Sequence, residues 1–196
     1  MSDTYVEVVP EAELQARVAQ LGAVISDEYA GKRPVLVGVL KGAAVFLADL
    51  MRQITVDVDV DFLSLTRFGS EGRVSIAMDT SVPLADRHVI LVEGIVDTGL
   101  TLTTLRRSLQ VRDIASIATV ALIDKATRRI VDVPLEYRGF EVGDEFLIGY
   151  GLDWEGLYRN VRSLWAVMDM GDLAKQPLRF ADVVFGQRTA EQTPSR

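Results

Sequence analysis

The 196-residue chain has no cysteine, a single histidine, two tryptophans and six prolines. Without cysteine there can be no disulfide, no thiol nucleophile, no thiolate zinc site and no iron–sulfur cluster. With His88 alone, multi-histidine metal sites are excluded and a Ser–His–Asp triad would hang on one residue. Positive charge is also short: 21 Lys+Arg stand against 28 Asp+Glu, a net charge of −7. That balance argues against a general polyanion binder, although a local basic pocket could still hold a phosphate. Long apolar runs are missing too. The longest uncharged stretch, Ile114 to Ile123, falls far short of the roughly 18 apolar residues a membrane span requires. The start, Met1 to Glu7, is acidic and lacks the basic-then-apolar pattern of a signal peptide, so the chain reads as cytoplasmic.

What is present suits a folded domain. Hydrophobic residues make up 48% and charged residues 25%, enough for a sizeable core and one domain with room for a small accessory lobe. Pro10, then Leu14, Val18, Leu21, Val24 and Ile25, predicts an amphipathic helix ending near Gly31. Pro34 to Leu40 reads as a strand buried on both faces, and Gly42 to Met51 as the helix after it. Val56, Val58, Val60 and Phe62 alternate with Asp57, Asp59 and Asp61, a strand with one wet face. Thr66 to Gly72 should be a mobile loop. His88 to Val96 and Ile117 to Ile123 are further buried-strand candidates flanking a helix with Leu102, Leu105 and Leu109. Strand–helix alternation implies βαβ units and a parallel sheet, an α/β architecture. Gly139 to Gly151 predicts a hairpin-like lobe, and the polar end from Ala190 should fray.

Two candidate sites are weak. An EF-hand loop starting at Asp57 needs glycine sixth and glutamate twelfth, but Phe62 and Phe68 stand there; solvated strand residues are the better reading. His88 has no partner in sequence and reads as structural. The run from Val89 through Glu93, Gly94, Asp97, Thr98, Gly99 and Thr101 says more. An apolar strand enters a tight turn and then a helix, at the strand end where open α/β sheets bind ligands. Backbone N–H groups and the Thr98 and Thr101 hydroxyls could cradle a phosphate there. An ordinary capped strand–helix connection fits the pattern equally well. A Walker-type loop does not, since Leu100 stands where lysine is required and Asp97 would repel a triphosphate.

Glu93-Gly94-Ile95-Val96-Asp97-Thr98-Gly99-Leu100-Thr101 resembles the phosphoribosyl-pyrophosphate signature of type I phosphoribosyltransferases. From about residue 10 to residue 168 the chain is similar to bacterial hypoxanthine (hypoxanthine-guanine) phosphoribosyltransferases. Val39-Leu40-Lys41-Gly42 resembles their pyrophosphate loop, and Asp61 to Ser64 leads into their flexible loop. Lys125, Gly139-Phe140-Glu141 and Phe146 to Asp153 resemble their purine-binding segments. The resemblance implies a central, mainly parallel sheet flanked by helices. It also implies a small hood lobe built from parts of the N- and C-terminal segments. Residues 1–170 would form one domain and 171–196 a C-terminal extension with a disordered end.

By the same resemblance the reaction transfers 5-phosphoribosyl from phosphoribosyl pyrophosphate to a 6-oxopurine, with magnesium. Asp97 would be the general base toward the purine imidazole ring. Thr98, Gly99, Leu100 and Thr101 would bind the 5′-phosphate. Lys41 and Gly42 would contact pyrophosphate after a cis Leu40–Lys41 peptide. Lys125 would meet the 6-oxo group, Phe146 would stack on the base and the Leu147 backbone would pair with its edge. Glu93 would face the ribose hydroxyls or the magnesium, Asp153 would help hold that ion, and Arg159 would bind pyrophosphate. The family relationship further implies a homodimer or homotetramer and no nucleic-acid partner.

Two departures stand out. Arg67-Phe68 replaces the family's usual Ser-Tyr, and Gly94 replaces a second acid. The second predicts weakened sugar or magnesium binding, partly recovered by water. A Gly94→Asp change should then lower the Michaelis constant for phosphoribosyl pyrophosphate, provided the turn tolerates a side chain. Two other functions are a nucleotide-binding pseudoenzyme, suggested by Gly94, and an RNA-binding regulator on the same fold. The net charge disfavours the regulator.

Overall fold

A computed structural model describes residues 4–68 and 73–186. In chain order the elements are β1 (Tyr5–Val9), α1 (Glu11–Glu28), β2 (Val35–Leu40), α2 (Ala44–Gln53), β3 (Asp59–Phe68), β4 (Arg73–Met78) and β5 (His88–Val96). They continue with α3 (Leu100–Gln110), β6 (Ser116–Asp124), β7 (Tyr137–Glu141), β8 (Phe146–Ile148), β9 (Leu164–Val167), α4 (Met170–Lys175) and α5 (Arg179–Phe185). The main sheet has six strands in the order β4-β3-β2-β5-β6-β7. All neighbours run parallel except β3 and β4, which are antiparallel.

Alternation along the central strands explains the layers. Leu36, Ile90, Val92, Val120 and Leu122 join the core under α1 and α2, whereas Val35, Val37, Val89, Leu91 and Ala121 join the one under α3. A strand buried on both faces reads as a continuous apolar run, which is how β2, β5 and β6 look in sequence. From β2 the chain winds outward to β3; from β5 it winds the other way to β6 and β7. The reversal between β2 and β5 is a topological switch point, where adjacent loops diverge and leave a crevice.

Four expected elements shift. The first helix stops at Glu28, with Tyr29 as its C-cap. The second begins at Ala44 rather than Gly42. The aspartate-rich strand starts only at Asp59 and runs on through Phe68, because Ser64 to Phe68 find partners on β4. Of the expected mobile loop, Thr66 to Phe68 are therefore strand; residues 69–72 lie outside the described residues, as does the expected frayed end from Ala190. The Gly139–Gly151 segment is not one hairpin: β7 extends the main sheet, while β8 pairs with β9 in a second sheet ordered β1-β9-β8. The aspartates also have partners. Asp59 bridges Arg33 and Arg87 at 2.6 and 2.5 Å, and Asp61 accepts N–H bonds from Ser81 and Val82. His88 is structural, its Nδ1 2.8 Å from the Ser116 hydroxyl.

The small sheet has its own core, in which Tyr5, Ile148, Tyr158 and Val167 pack with Leu173 of α4 and Phe180 of α5. Phe180 is fully buried, with ring contacts to Tyr5, Tyr158 and Trp165. The short C-terminal helices are thus part of this lobe. Phe180→Ala should cost about 3–5 kcal/mol in urea unfolding, as expected for emptying a fully packed aromatic site. A loss below about 1 kcal/mol would mean that α5 is peripheral.

Candidate active site

The turn from β5 into α3 is held from below and open above. Asp97 and Thr98 follow the last buried strand residue, Val96, and Gly99 takes a left-handed φ of 85° that lets the chain turn straight into the helix. Gly99 gives α3 no side-chain cap, so N–H groups at its start point into the crevice with the positive end of the helix dipole. The Thr98 carbonyl accepts bonds from Ile130 and Val131 N–H at 3.0 and 3.1 Å, tying this turn to the segment after β6.

That segment supplies cations. Arg128 donates from Nε to the Asp97 carboxylate at 2.7 Å and also pairs with Asp144. The second contact holds the Asp144 carboxyl below its usual range. Arg129 donates to the Asp97 carbonyl at 2.6 Å and pairs with Asp124, which is buried at the end of β6. Arg138 Nε lies 2.7 Å from the other Asp124 oxygen. Asp124, Arg128 and Arg129 were not among the expected site residues. The signal available was a cluster of Lys125, Arg128 and Arg129 just after a buried strand, unusual in an acidic chain.

The opposite wall comes from the small lobe. Facing it from the end of β6 in the main sheet, Lys125 is buried, and its Nζ donates to the Glu145 carbonyl at 2.6 Å. Phe146 meets Trp154 edge-on at 5.6 Å, and Leu147 is buried in β8 opposite Ala166. Asp153 and Arg159, expected in separate roles, pair with each other at 2.6 Å. Asp153 also accepts the Gly156 N–H, and Arg159 donates to the Gly151 carbonyl at 2.7 Å.

The third side is the exit of β2. The Leu40–Lys41 peptide is cis, Lys41 is exposed, and the Gly42 carbonyl turns toward β5. A Cβ built on Gly94 would lie 2.8 Å from that oxygen and 2.9 Å from its carbon. A Cβ on Gly151 would collide with the same oxygen from the other direction. This corrects the expectation for Gly94: the Gly42 backbone lies where a side chain would begin, so an acid there requires that backbone to move. Glu93, one residue earlier on β5, is 9% exposed, and burial raises its carboxyl pKa to about 8. Among the described residues no side chain or backbone group donates a hydrogen bond to it. Arg67 and Phe68 lie at the C-terminal end of β3, the strand that runs parallel to β2.

Three strand ends and one lobe turn therefore meet at the switch point. They present a helix start suited to phosphate, four arginines paired with carboxylates, a buried lysine and the Phe146–Trp154 aromatic pair. Residues 7–155 match the phosphoribosyl transferase domain family. The hypoxanthine phosphoribosyltransferase of Salmonella typhimurium is 41% identical over 167 residues, covering 82% of this chain and 94% of that protein. The hypoxanthine-guanine phosphoribosyltransferase of Bacillus subtilis is 39% identical over 158 residues, covering 79% and 88%. A solved hypoxanthine-guanine phosphoribosyltransferase of Bacillus anthracis superposes with a TM-score of 0.81 at 37% identity, over 83% of this chain and 98% of that one. A hypoxanthine phosphoribosyl transferase structure from Trypanosoma cruzi gives 0.82 at 33%, over 88% and 95%.

Glu93 generates a prediction that needs no substrate. Its folded pKa of about 8 lies above the ordinary 4.5, so on raising pH the unfolded chain loses the proton first. Stability then falls between about pH 4.5 and pH 8 and levels off beyond, which is the sign for a buried carboxyl. Glu93→Gln removes this titration. The variant should gain stability over wild type by up to roughly 3 kcal/mol more at pH 8 than at pH 5. Thermal or urea melts at both pH values measure this, and a stability difference independent of pH would contradict a neutral buried Glu93.

Proposed function

The chain belongs to the phosphoribosyl transferase domain family, and from that premise we infer that it is a purine salvage enzyme. It moves 5-phosphoribosyl from phosphoribosyl pyrophosphate to hypoxanthine or guanine, giving IMP or GMP and pyrophosphate. The observation that carries this reading is the crevice between β2 and β5, where Lys41, the Asp97 turn and the Lys125–Phe146 wall face a common space. Two relatives of the chain bear the name hypoxanthine or hypoxanthine-guanine phosphoribosyltransferase.

The chemistry follows from where charge develops. As pyrophosphate leaves, the sugar becomes oxocarbenium-like, so the protein's task is to neutralise the leaving group and hold both partners in line. The α3 start with Thr98 and Thr101 takes the 5′-phosphate. Lys41 and Arg159 face the pyrophosphate. Lys125 keeps the Glu145 carbonyl and still has protons free for the purine 6-oxo group, where adenine would present an amine instead. Phe146 stacks on the base beside the Leu147 backbone. Asp97 takes the imidazole-ring proton, and its contact with Arg128 keeps the carboxylate oriented toward the base.

Asp153 suits a magnesium ion carried by the substrate, since such ions use one or two protein carboxylates and fill the rest with phosphate oxygens and water. Glu93 is buried one residue before Gly94, and holding the ion there would require it to give up its proton. When bound, the ion supplies charge neutralisation to the leaving pyrophosphate. A pseudoenzyme reading loses its motive, because Gly94 leaves no hole in the site. We place the enzyme in the cytoplasm, since a highly charged sugar pyrophosphate does not cross a bilayer. Among the described residues no helix is long and apolar enough to cross a membrane. A homodimer or homotetramer is supported by exposed Leu178, Val183 and Phe185 near the C-terminus. The Trypanosoma cruzi work concerns the role of that enzyme's C-terminal region in its oligomeric state.

With magnesium and phosphoribosyl pyrophosphate, the chain should convert hypoxanthine or guanine to nucleotide; a flat trace with both purines would refute the reading. Asp97→Asn should lower kcat by roughly 10²–10⁴ with much smaller changes in nucleotide binding. Gly94→Asp should raise the Michaelis constant for phosphoribosyl pyrophosphate, reversing the expectation from sequence, because its Cβ pushes the Gly42 backbone outward. A lowered constant in a well-folded Gly94→Asp protein would show that the loop yields freely.

A further inference from the structure

Tyr150 is a bulky residue in a backbone conformation that disfavours it. Its φ is 46°, between Gly149 and Gly151, both at 97°. Side chains other than glycine enter this region at a cost, and such residues persist where the surroundings hold them. Here the ring is 3% exposed, and its hydroxyl donates to Asp49 Oδ2 at 2.6 Å. Gln15 donates to the same oxygen at 2.9 Å, and Arg52 to the other at 2.6 Å.

Asp49 sits on α2, which starts directly from the loop after β2: Ala44 N–H donates to the Lys41 carbonyl and Leu47 N–H to that of Ala43. On the other side, Gly151 exchanges contacts with Arg159, its N–H donating to the Arg159 carbonyl at 2.9 Å and its own carbonyl accepting the guanidinium. Gly151 in turn lies against the Gly42 carbonyl. The contacts form a closed ring: loop 40–43, α2, Asp49, Tyr150, Gly151 and back to Gly42. The purine-side residues Phe146 and Leu147 stand outside it, held by the β8–β9 ladder.

We propose that Tyr150 and Asp49 are a positioning pair, whose hydrogen bond holds the 40–43 loop and the 149–153 turn together and thereby sets binding of the pyrophosphate end of the substrate. This rests on the phosphoribosyl-transfer reading for its kinetic part only. Tyr150→Phe keeps the ring and removes the hydroxyl. Amide hydrogen exchange should quicken in both segments, 40–43 and 149–153, although only the second carries the substitution. The KM for phosphoribosyl pyrophosphate should rise about tenfold, the scale of one lost hydrogen bond to a charged group, while the KM for hypoxanthine stays within about twofold. Asp49→Leu should reproduce the pattern. Asp49→Asn, which retains an acceptor for the tyrosine, should restore wild-type exchange and KM.

Faster exchange confined to 149–153 overturns the proposal, and so does an equal rise of both KM values, which would mark a general structural defect. If wild type itself lacks activity, the functional reading falls, and the exchange measurement alone decides the coupling.

Discussion

Everything at the site depends on how closely three pieces of backbone approach one another at the Gly42 carbonyl. A parallel sheet that reverses its winding between β2 and β5 forces two loops apart, and the crevice this opens is closed at one end only if another segment reaches in. Gly151 of the small lobe and Gly94 of β5 both come within reach of that oxygen because neither carries a Cβ. The small lobe, built from strands at opposite ends of the chain, is thereby seated on the switch point. Its seating is a matter of sterics, reinforced by the Tyr150–Asp49 hydrogen bond.

Electrostatics then act within this frame. In a chain of net charge −7, the crevice is where cations collect, yet the arginines there already have carboxylate partners. Arg128 meets Asp97 and Asp144, Arg129 meets Asp124, and Arg159 meets Asp153. The partly exposed pairs of Arg128 and Arg159 contribute little to stability, on the order of 0–1 kcal/mol each, whereas Arg129 compensates a buried Asp124. They do hold long side chains in defined places, so that less freedom remains to be lost when a polyanion arrives. On the proposed reading a phosphate-rich ligand would compete with Asp153 for Arg159, while Arg128 would keep its hold on Asp97.

Sequence patterns revealed the layers and the turn from β5 into α3 because those are local. An apolar run bounded by turn residues marks β2, β5 and β6, and the step from Val96 through Gly99 to α3 follows from residue types alone. Pairings across the chain left no such trace. Nothing in the sequence near Asp153 says that Arg159 binds it, and the Asp49–Tyr150 contact spans 101 residues. The Gly139–Gly151 segment misled for a related reason. Short glycine-punctuated strands look alike whichever sheet they join, and Tyr137 to Glu141 found an open edge of the main sheet beside β6 before the chain crossed to the lobe. The aspartates of β3 looked idle because their partners, Arg87 and the Ser81–Val82 backbone, come from the far side of β4.

Glu93 and Gly94 show why adjacency in sequence is a poor guide to chemistry at a strand end. Successive side chains on a strand point to opposite faces. Position 94 faces the Gly42 loop, whereas Glu93 is buried and has no hydrogen-bond donor among the described residues. An acid at one position is therefore not interchangeable with an acid at the other, however close the two lie along the chain. Nor is the replacement at 94 a simple deletion of charge. Removing a side chain from a packed strand end either leaves a hole, costing the contacts its walls would have made, or lets a neighbour move in. Here the neighbour is the backbone of the loop after β2. What this chain lacks in carboxylate it has in contact, and the price is that the position no longer accepts the acid back.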